Sequence, residues 1–217
     1  MEQFSRTISL VGQSAFDRVH QARVAVFGVG GVGGYVCEAL VRSGIAEIDL
    51  FDRDDVSISN LNRQIIALHS TIGQDKVDAM AARLKDINPD VRVNCRKMFY
   101  LPTNADEIDL SVYDFVVDAV DTVAAKLELA RRCEQGGIRF ISAMGAGNKL
   151  DPTRFQVADI AKTSVCPLCR VMRVQLKKCG VAHHTVVYST EEPLKVVADE
   201  SNGRHTPGSV SFVPPVV

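Results

Sequence analysis

The sequence predicts an α/β protein whose central sheet is doubly wound and mainly parallel. Three observations lead to this prediction. A short apolar segment, residues 23–27, runs directly into the glycine-rich sequence G-V-G-G-V-G. Apolar runs of strand length then alternate with segments of helical periodicity. Finally, the 217 residues are 46% hydrophobic, which is enough to bury one sizeable core without cross-links. In such folds, ligands bind at the carboxyl ends of the strands.

The first βαβ unit begins with the predicted buried strand at residues 23–27. A helix is predicted over residues 35–43 and ends at Gly44, because glycine commonly terminates helices. A second strand over residues 47–51 is closed by Asp52. A glycine-rich turn between a strand and a helix is typical of a Rossmann-like arrangement.

The clearest predicted helix covers residues 74–88, where apolar residues recur at every third or fourth position. Asn88-Pro89 ends it, because the residue before proline disfavours helical geometry. Four further elements complete the predicted core: a half-buried strand near 91–95, a strand over 114–119, a helix over 122–135 and a strand over 138–142.

The regular alternation weakens after residue 145. The remaining predicted elements are strand pieces around 155–160, a helix over 169–178, a strand over 186–189 and a polar, mobile segment over 198–208. We expect one domain over residues 1–217, with an N-terminal arm (1–22), a core that carries the glycine-rich turn (23–145) and a C-terminal extension on the substrate side (146–217). Because the chain stops within the apolar run F-V-P-P-V-V, we expect further residues after Val217.

Composition narrows the function classes. The formal net charge of −1 argues against a protein that coats nucleic acid non-specifically, although it permits a local basic patch. No signal peptide and no apolar stretch long enough to span a membrane is present, so we expect a cytoplasmic protein with reduced cysteines. Cys37, Cys95 and Cys133 lie in apolar patterns and are predicted to be core residues.

The glycine-rich turn is a candidate phosphate-binding loop. Gly28, Gly30 and Gly33 match G-x-G-x-x-G, which allows a tight turn and close approach of the backbone to phosphate. Asp52 lies 19 residues after Gly33, where a carboxylate can hold ribose hydroxyls. This pattern alone fits many nucleotide-binding proteins.

A second set of polar residues follows the predicted strands. It contains S-N-L-N-R-Q at residues 59–64, Lys76 in G-Q-D-K-V, and Asp121 at the end of D-A-V-D-T. Arg63 and Lys76 can neutralise phosphate charge, which matters when a carboxylate attacks an α-phosphate. Asp121 can hold Mg²⁺. Each residue alone could be a solvated surface charge, but their shared position at strand ends favours one site.

Residues 23–160 resemble the adenylating domain of the ubiquitin-activating-enzyme superfamily, through G-V-G-G-V-G, F-D-R-D-D-V, S-N-L-N-R-Q, G-Q-D-K-V and D-A-V-D-T. The resemblance implies an ATP site formed by Gly28, Gly30, Gly31, Gly33, Asp52, Asp54, Ser59, Asn60, Asn62, Arg63, Lys76, Asp121 and Thr122. It implies catalytic roles for Arg6, Arg63, Lys76 and Asp121, with Mg²⁺ on Asp121. Arg6, in F-S-R-T, resembles an arginine that members often receive from a partner subunit, which implies a homodimer.

The cysteine pattern differs from that of the sulfur-carrier adenylyltransferases in this superfamily, which usually carry two C-x-x-C zinc pairs. This chain has one, Cys166-Pro-Leu-Cys169, followed by Cys179, His183 and His184. These residue types could form a Cys₃His site, but their spacing argues against a structural zinc. Reduced structural thiols are the favoured interpretation, and a reactive cysteine is an alternative.

Two later segments, L-D-P-T-R-F-Q-V-A-D-I-A-K-T (150–163) and V-V-Y-S-T-E (186–191), together with F-S-R-T-I-S-L-V-G, resemble the tRNA threonylcarbamoyladenosine dehydratases. This resemblance covers essentially the whole chain. It implies ATP-dependent cyclisation of the threonylcarbamoyl group beside the tRNA anticodon, through a carboxyl-adenylate. Four cations without an intervening acid form a candidate tRNA-binding patch: Arg170, Arg173, Lys177 and Lys178.

Other functions remain open at this point. The main alternative is an adenylyltransferase that activates the C-terminus of a ubiquitin-like sulfur-carrier protein, and a sulfur-transfer or carrier protein is therefore a candidate partner. An NAD-dependent oxidoreductase could use the same glycine loop, but it would leave Arg63, Lys76 and Asp121 without a clear role. A binding-only scaffold is disfavoured because all the residue types of the ATP site are intact.

Overall fold

The computed structural model describes residues 2–195 and 207–217, so most of the predicted mobile segment at 198–208 lies outside the described residues. One sheet of seven strands runs through the molecule in the order β3-β2-β1-β4-β5-β7-β6. The strands are β1 (Arg23–Phe27), β2 (Glu47–Asp52), β3 (Arg92–Lys97), β4 (Phe115–Asp118), β5 (Phe140–Ala143), β6 (Phe155–Asp159) and β7 (Thr185–Ser189). All paired neighbours are parallel except β6, which pairs with β7 in the antiparallel sense.

The helices are α1 (Ser5–Val11), α2 (Gln13–Gln21), α3 (Gly33–Arg42), α4 (Lys76–Ile87), α5 (Val123–Gly136) and α6 (Pro167–Lys178). The predicted α/β class is thereby confirmed, as are the strands and helices predicted between residues 23 and 189. The boundaries shift by a few residues; for example, α6 begins at Pro167, which suits the first helical position because its missing N–H is not needed there.

Alternation along β1 explains why helices cover both faces of the sheet. Val24 and Val26 belong to a core cluster that includes residues of α3 and α4. Ala25 and Phe27 point to the opposite face and belong to a second cluster, which includes Leu129 of α5. Because successive side chains of a strand point to opposite faces, a continuous apolar run such as R-V-A-V-F must be buried on both.

The N-terminal arm consists of α1 and α2, which the sequence patterns do not predict. Its anchor is Phe16, which is 1% exposed and packs against Phe4 with ring centroids 5.3 Å apart. Gly44 lies under this ring at φ +109°, and a Cβ there would lie 2.4 Å from Phe16 Cε2. Gly44 therefore ends α3 and also makes room for the arm.

One predicted core residue is not in the core. Cys37 and Cys133 are buried, as predicted, but Cys95 is exposed. Cys95 lies on β3, at the edge of the sheet, and its thiol donates a hydrogen bond to Val77 O at 3.4 Å. The alternation of residues 91, 93 and 95 predicts the strand correctly, but an edge strand leaves part of its inner face uncovered.

None of the helices in the described part of the chain combines the length and the apolar character that crossing a membrane requires.

Candidate active site

A cleft of about 610 Å³ opens at the carboxyl ends of the parallel strands. Its wall combines the glycine loop after β1, the segment after β2, the ends of β4 and β5, and a part of the C-terminal segment. The predicted site residues that line it are Gly28, Gly30, Gly31, Asp52, Asp54, Asn60, Arg63, Lys76, Asp121 and Thr122. The fold therefore brings together most of the residues that the motifs singled out.

The glycines of the loop serve different purposes. Gly28 has φ +89°, and a Cβ there would lie 2.7 Å from Ala119 O. A Cβ at Gly33 would lie 1.8 Å from Gly28 O, so the helix can approach the loop only with glycine at this position. At Gly30, by contrast, the nearest described atom to an added Cβ is Gln64 Nε2 at 3.8 Å. Packing does not require glycine at 30, and its absent side chain leaves space in the cleft.

Asp52 fixes the shape of the loop. Its Oδ2 accepts a hydrogen bond from Val29 N at 2.7 Å, and its Oδ1 accepts one from Asp54 N at 2.9 Å. The carboxylate thus links the end of β2 to the loop after β1. Its predicted role as a ribose ligand stays a prediction.

Lys76 brings a buried positive charge to the cleft. It is the first residue of α4 and is 6% exposed. Its Nζ donates to Asp54 Oδ2 at 2.9 Å and lies 4.0 Å from Asp52 Oδ1. These two carboxylates offset the cost of burying the ammonium group and hold it at the cleft wall.

Arg63 is held by its own turn. Asn60 is 8% exposed and caps this turn, because its Oδ1 accepts from Ser57 N at 3.1 Å. Arg63 Nη1 donates to Ser59 O at 2.8 Å and to Asn62 Oδ1 at 2.9 Å. Ser59 and Asn62 do not line the cleft but contact Arg63, and their predicted place in the ATP site stays a prediction.

Asp121 follows β4 and is exposed at the cleft. Within the described residues, its carboxylate accepts one side-chain hydrogen bond, from Thr122 Oγ1 at 3.3 Å. The strand before it is anchored by Asp118, which is fully buried and bound by Lys126 Nζ at 3.0 Å. Lys126 Nζ also donates to Ala143 O at 2.6 Å, at the end of β5. One buried ammonium group therefore fixes two neighbouring strand ends of the cleft.

Aromatic residues pack beneath one side of the cleft. Phe27 and Phe51 are stacked with centroids 4.2 Å apart, and Tyr100 meets Phe27 edge to face at 4.9 Å. Nearby, the Arg53 guanidinium lies 3.8 Å from the centre of the Phe99 ring. The Phe27, Phe51 and Tyr100 rings are buried, so they support the cleft from below. The exposed Arg53 guanidinium offers a flat cationic surface of the kind that stacks on a nucleobase.

Two cleft residues were not predicted as ligands. Gln64 is 7% exposed and Tyr100 is 3% exposed, and both line the cleft. Gln64 Oε1 and the Tyr100 hydroxyl find no hydrogen-bond partner within the described parts of the chain. Buried polar atoms are normally paired, so these two are suited to a bound ligand. Gln64 closes the S-N-L-N-R-Q motif, but no sequence signal singles out Tyr100.

The C-terminal segment also reaches the cleft. Pro207, Ser209 and Pro214 line it, and Ser209 O accepts a hydrogen bond from Asn62 Nδ2 at 3.0 Å. Gly208 N donates to Asn148 Oδ1 at 2.6 Å.

Other predicted residues lie outside the cleft lining. Gly33 packs against the loop, and Arg6 is exposed on α1. Of the predicted tRNA-binding residues, Arg170, Lys177 and Lys178 are exposed on α6. Arg173 is half-buried instead, and its Nη1 donates to Thr163 O at 2.9 Å and to Ile160 O at 3.2 Å. Arg173 thus holds the preceding loop, and its predicted contact with tRNA phosphate stays a prediction.

Residues 166–184 do not form a metal centre in the structure. Throughout residues 2–195 and 207–217, no three His, Cys, Asp or Glu side chains are arranged to hold a metal ion. Cys166 and Cys169 are both buried, whereas Cys179 is exposed at the end of α6.

Comparison with known proteins agrees with this geometry. The sequence profile of the ThiF family matches residues 4–192. The tRNA threonylcarbamoyladenosine dehydratase of Bacillus subtilis (strain 168) is 44% identical over 228 aligned positions, which cover 100% of this chain and 90% of that protein.

Solved structures give the same result. The crystal structure of the Escherichia coli tRNA N6-threonylcarbamoyladenosine dehydratase in complex with AMP superposes with a TM-score of 0.92, at 36% identity, covering 99% of this chain and 88% of that one. The complex of that enzyme with ATP superposes with a TM-score of 0.87 at 35% identity, with the same coverage. This chain belongs to the ThiF family.

Proposed function

We propose that this protein is an ATP-dependent tRNA threonylcarbamoyladenosine dehydratase. The observation that carries the proposal is the cleft, in which the glycine loop meets Arg63, Lys76 and Asp121. It occurs in a chain that is 44% identical, over its whole length, to a protein of that activity. Action on tRNA fits the cytoplasmic location expected from the sequence.

The cleft has the features that ATP needs. The open space beside Gly30 can take phosphate close to the backbone, near the start of α3, where the helix dipole favours negative charge. The exposed Arg53 guanidinium can stack on adenine, and Gln64 Oε1 and the Tyr100 hydroxyl are unpaired among the residues that the structure describes. An acceptor such as Gln64 Oε1 can take a hydrogen bond from an amino group or a ribose hydroxyl.

ATP supplies the activation: adenylate transfer to the threonine carboxylate, with loss of pyrophosphate, converts a poor leaving group into a good one. Lys76 and Arg63 hold positive charge at the cleft wall, where negative charge increases on the phosphates. Asp121 has an exposed carboxylate at a strand end and would hold Mg²⁺. The nucleophile that closes the ring belongs to the same nucleoside, so intramolecular geometry can replace a covalent enzyme intermediate.

The exposed cations of α6 support tRNA binding. Arg170, Lys177 and Lys178 are exposed, and α6 begins beside the cleft, where Leu168 is part of the lining. We propose that these three residues contact tRNA phosphates while the modified nucleoside enters the cleft. Such contacts carry no base specificity and weaken as salt increases.

Arg6 supports a homodimer. It lies on the exposed face of α1 and does not line the cleft of its own chain. We propose that a second copy supplies Arg6 to the cleft, as the sequence resemblance implies.

Nucleoside analysis tests the activity directly. The protein is incubated with ATP, Mg²⁺ and tRNA that carries threonylcarbamoyladenosine, and the digested nucleosides are analysed by mass spectrometry. We expect the threonylcarbamoyl nucleoside to lose one water. Asp121→Asn should abolish this loss, whereas Asp86→Asn, on the exposed face of α4, should not change it.

A parallel assay separates the two adenylating functions. ATP–pyrophosphate exchange is measured with modified tRNA and, separately, with a ubiquitin-like carrier that ends in Gly-Gly. Exchange that requires the carrier, with no dehydrated nucleoside, would replace the dehydratase proposal by the adenylyltransferase alternative.

A further inference from the structure

Cys166 and Cys169 lie at the start of α6 and are not used by the proposed reaction. Cys166 is the N-cap residue and Cys169 lies in the first turn, so both belong to a C-x-x-C at a helix N-terminus. They are 3% and 0% exposed. Thiols in this position are favoured as thiolates, because the backbone N–H groups of the first turn face them.

The surroundings of Cys166 stabilise negative charge. A hydrogen bond from the Cys169 thiol lowers the pKa of Cys166, against the effect of burial, and the N–H groups of Cys169, Gly145 and Leu168 act in the same direction. The charged groups near the pair are the Lys149 ammonium, which is 2% exposed, and the Arg173 guanidinium beside Cys169. The pKa of Cys169 is raised, because its thiol donates a hydrogen bond to the Cys166 thiolate and because it is buried.

The backbone before the pair is strained. Val165 has φ +63°, and Cys166 N donates to Ser164 O at 2.6 Å, which closes a three-residue γ-turn. Left-handed geometry is unfavourable for a β-branched residue, and strain of this kind concentrates at functional sites. Val165 is 47% exposed, so the turn that covers Cys166 lies at the surface.

The pair lies directly behind the cleft, because Gly145 and Leu168, whose N–H groups face Cys166, both line it. From these features we propose that Cys166 and Cys169 form a redox-active dithiol that is reversibly oxidised to an intramolecular disulfide by small-molecule disulfides. The site does not depend on which acceptor the cleft activates.

The exchange is balanced in two steps. The Cys166 thiolate attacks one sulfur of the oxidant R-S-S-R, forms a mixed disulfide and releases R-S⁻. Cys169 then attacks the Cys166 sulfur and releases the second R-S⁻, which takes the proton lost by Cys169. Two electrons pass from the protein thiols to the oxidant, and excess reduced thiol reverses both steps.

Mass spectrometry tests the proposal in a background that lacks the exposed thiols, Cys95→Ser/Cys179→Ser. The other two cysteines, Cys37 and Cys133, are buried, and burial raises the pKa of each. After equilibration with oxidised and reduced glutathione, we expect the folded protein to lose two hydrogens and peptide mapping to show a 166–169 disulfide. Adding Cys169→Ser should trap one glutathione on Cys166, whereas adding Cys166→Ser should prevent any reaction.

The pH dependence of trapping in the Cys169→Ser protein tests whether Cys166 is a thiolate. For a thiol with the ordinary pKa of about 8.5, the thiolate fraction falls about 75-fold between pH 8 and pH 6. In this variant the backbone N–H groups still face Cys166, and the introduced hydroxyl can donate to it in place of the Cys169 thiol. We therefore expect the trapping rate to fall by much less than about 75-fold over this range. A fall of the ordinary size would overturn the proposal.

Two further results would also overturn it. Unfolding the background protein in urea controls for reactivity, because every thiol is then accessible. If the unfolded protein reacts and the folded protein stays fully reduced, the pair is structural. Thiols that resist alkylation until a chelator is added, without loss of hydrogen, would identify a metal-binding pair instead.

Discussion

Gly30 and Gly33 lie in the same loop but have different neighbours. An added Cβ at 33 meets backbone at 1.8 Å, whereas one at 30 finds no described atom nearer than a side-chain nitrogen at 3.8 Å. The glycine at 33 is therefore needed for folding, and the glycine at 30 for the free space in the cleft.

Gly30→Ala should weaken ATP binding and leave the melting temperature nearly unchanged, because its methyl group enters space that the fold leaves open. We expect at least tenfold weaker binding, which corresponds to about 1.4 kcal/mol. Isothermal titration calorimetry with ATP and a thermal unfolding scan measure the two effects. Gly33→Ala is the matched control and should destabilise the fold itself. Equal losses of stability in both variants would contradict this division.

Individual residues of the site differ in whether the sequence can predict them. Gly30, Lys76 and Asp121 are found from motifs, because these residue types follow strands at recognisable spacings. Tyr100 could not be found, since its hydroxyl draws attention only because it is buried without a partner among the described residues. In the sequence, Arg173 is not distinguishable from the other cations of its helix. Only the structure shows that its guanidinium is hydrogen-bonded to Thr163 O.

At the level of elements, α5 is tied to β4 and β5 by Lys126. Replacing it by methionine removes the charge that balances the buried Asp118 carboxylate. Breaking a buried ion pair from one side costs about 3–5 kcal/mol, so Lys126→Met should lower the free energy of unfolding by about that amount in urea titrations. Lys85→Met, at an exposed position of α4, should change it by no more than about 0.5 kcal/mol. If Lys126→Met and Lys85→Met have similarly small effects, the ion pair between Lys126 and Asp118 does not stabilise the fold.

A second link joins β5 to the residue before β7. His184 is 8% exposed, and its Nε2 lies 2.8 Å from Ser142 Oγ. Burial, together with the nearby Lys126 charge, lowers the pKa of His184 from 6.5 to about 4. The unfolded chain therefore binds a proton more readily than the folded one as the pH falls.

This linkage makes stability depend on pH. The neutral, buried His184 contributes about 3 kcal/mol to the free energy of unfolding above pH 6.5. This contribution is lost as the pH falls towards about 4. Urea unfolding at several pH values should show a steeper acid loss for the wild type than for His184→Asn, which lacks the titrating group. Parallel pH dependences of the two proteins would contradict the assignment.

The elements differ in how well the sequence predicts them. Strands buried on both faces and helices with a full apolar stripe are found because burial requires those patterns. The helices α1 and α2 are missed because their attachment depends mainly on two buried side chains, Phe16 of α2 and Phe4, which directly precedes α1. The antiparallel pairing of β6 with β7 depends on tertiary contacts, so local sequence patterns do not predict it.

At the scale of the whole molecule, a net charge of −1 conceals an uneven distribution. The cleft concentrates carboxylates around Lys76, while α6 carries three exposed cations without an intervening acid. The arm that carries Arg6 lies outside the cleft lining of its own chain. If a second copy completes the site, each active centre combines residues of two chains.

Mixing two inactive variants tests this arrangement. Arg6→Ala removes the residue supplied to the partner, and Asp121→Asn inactivates the chain's own cleft. In a mixed dimer, the Arg6→Ala chain keeps Asp121 and receives Arg6 from its partner, whereas the other cleft lacks both groups. With random exchange of equal amounts, half of the dimers are mixed and each has one working site, so we expect about a quarter of the wild-type nucleoside dehydration. Light scattering checks that both variants remain dimers, and mixing each variant with itself provides the baseline. Activity that stays at this baseline after subunit exchange would mean that Arg6 acts within its own chain or not at all.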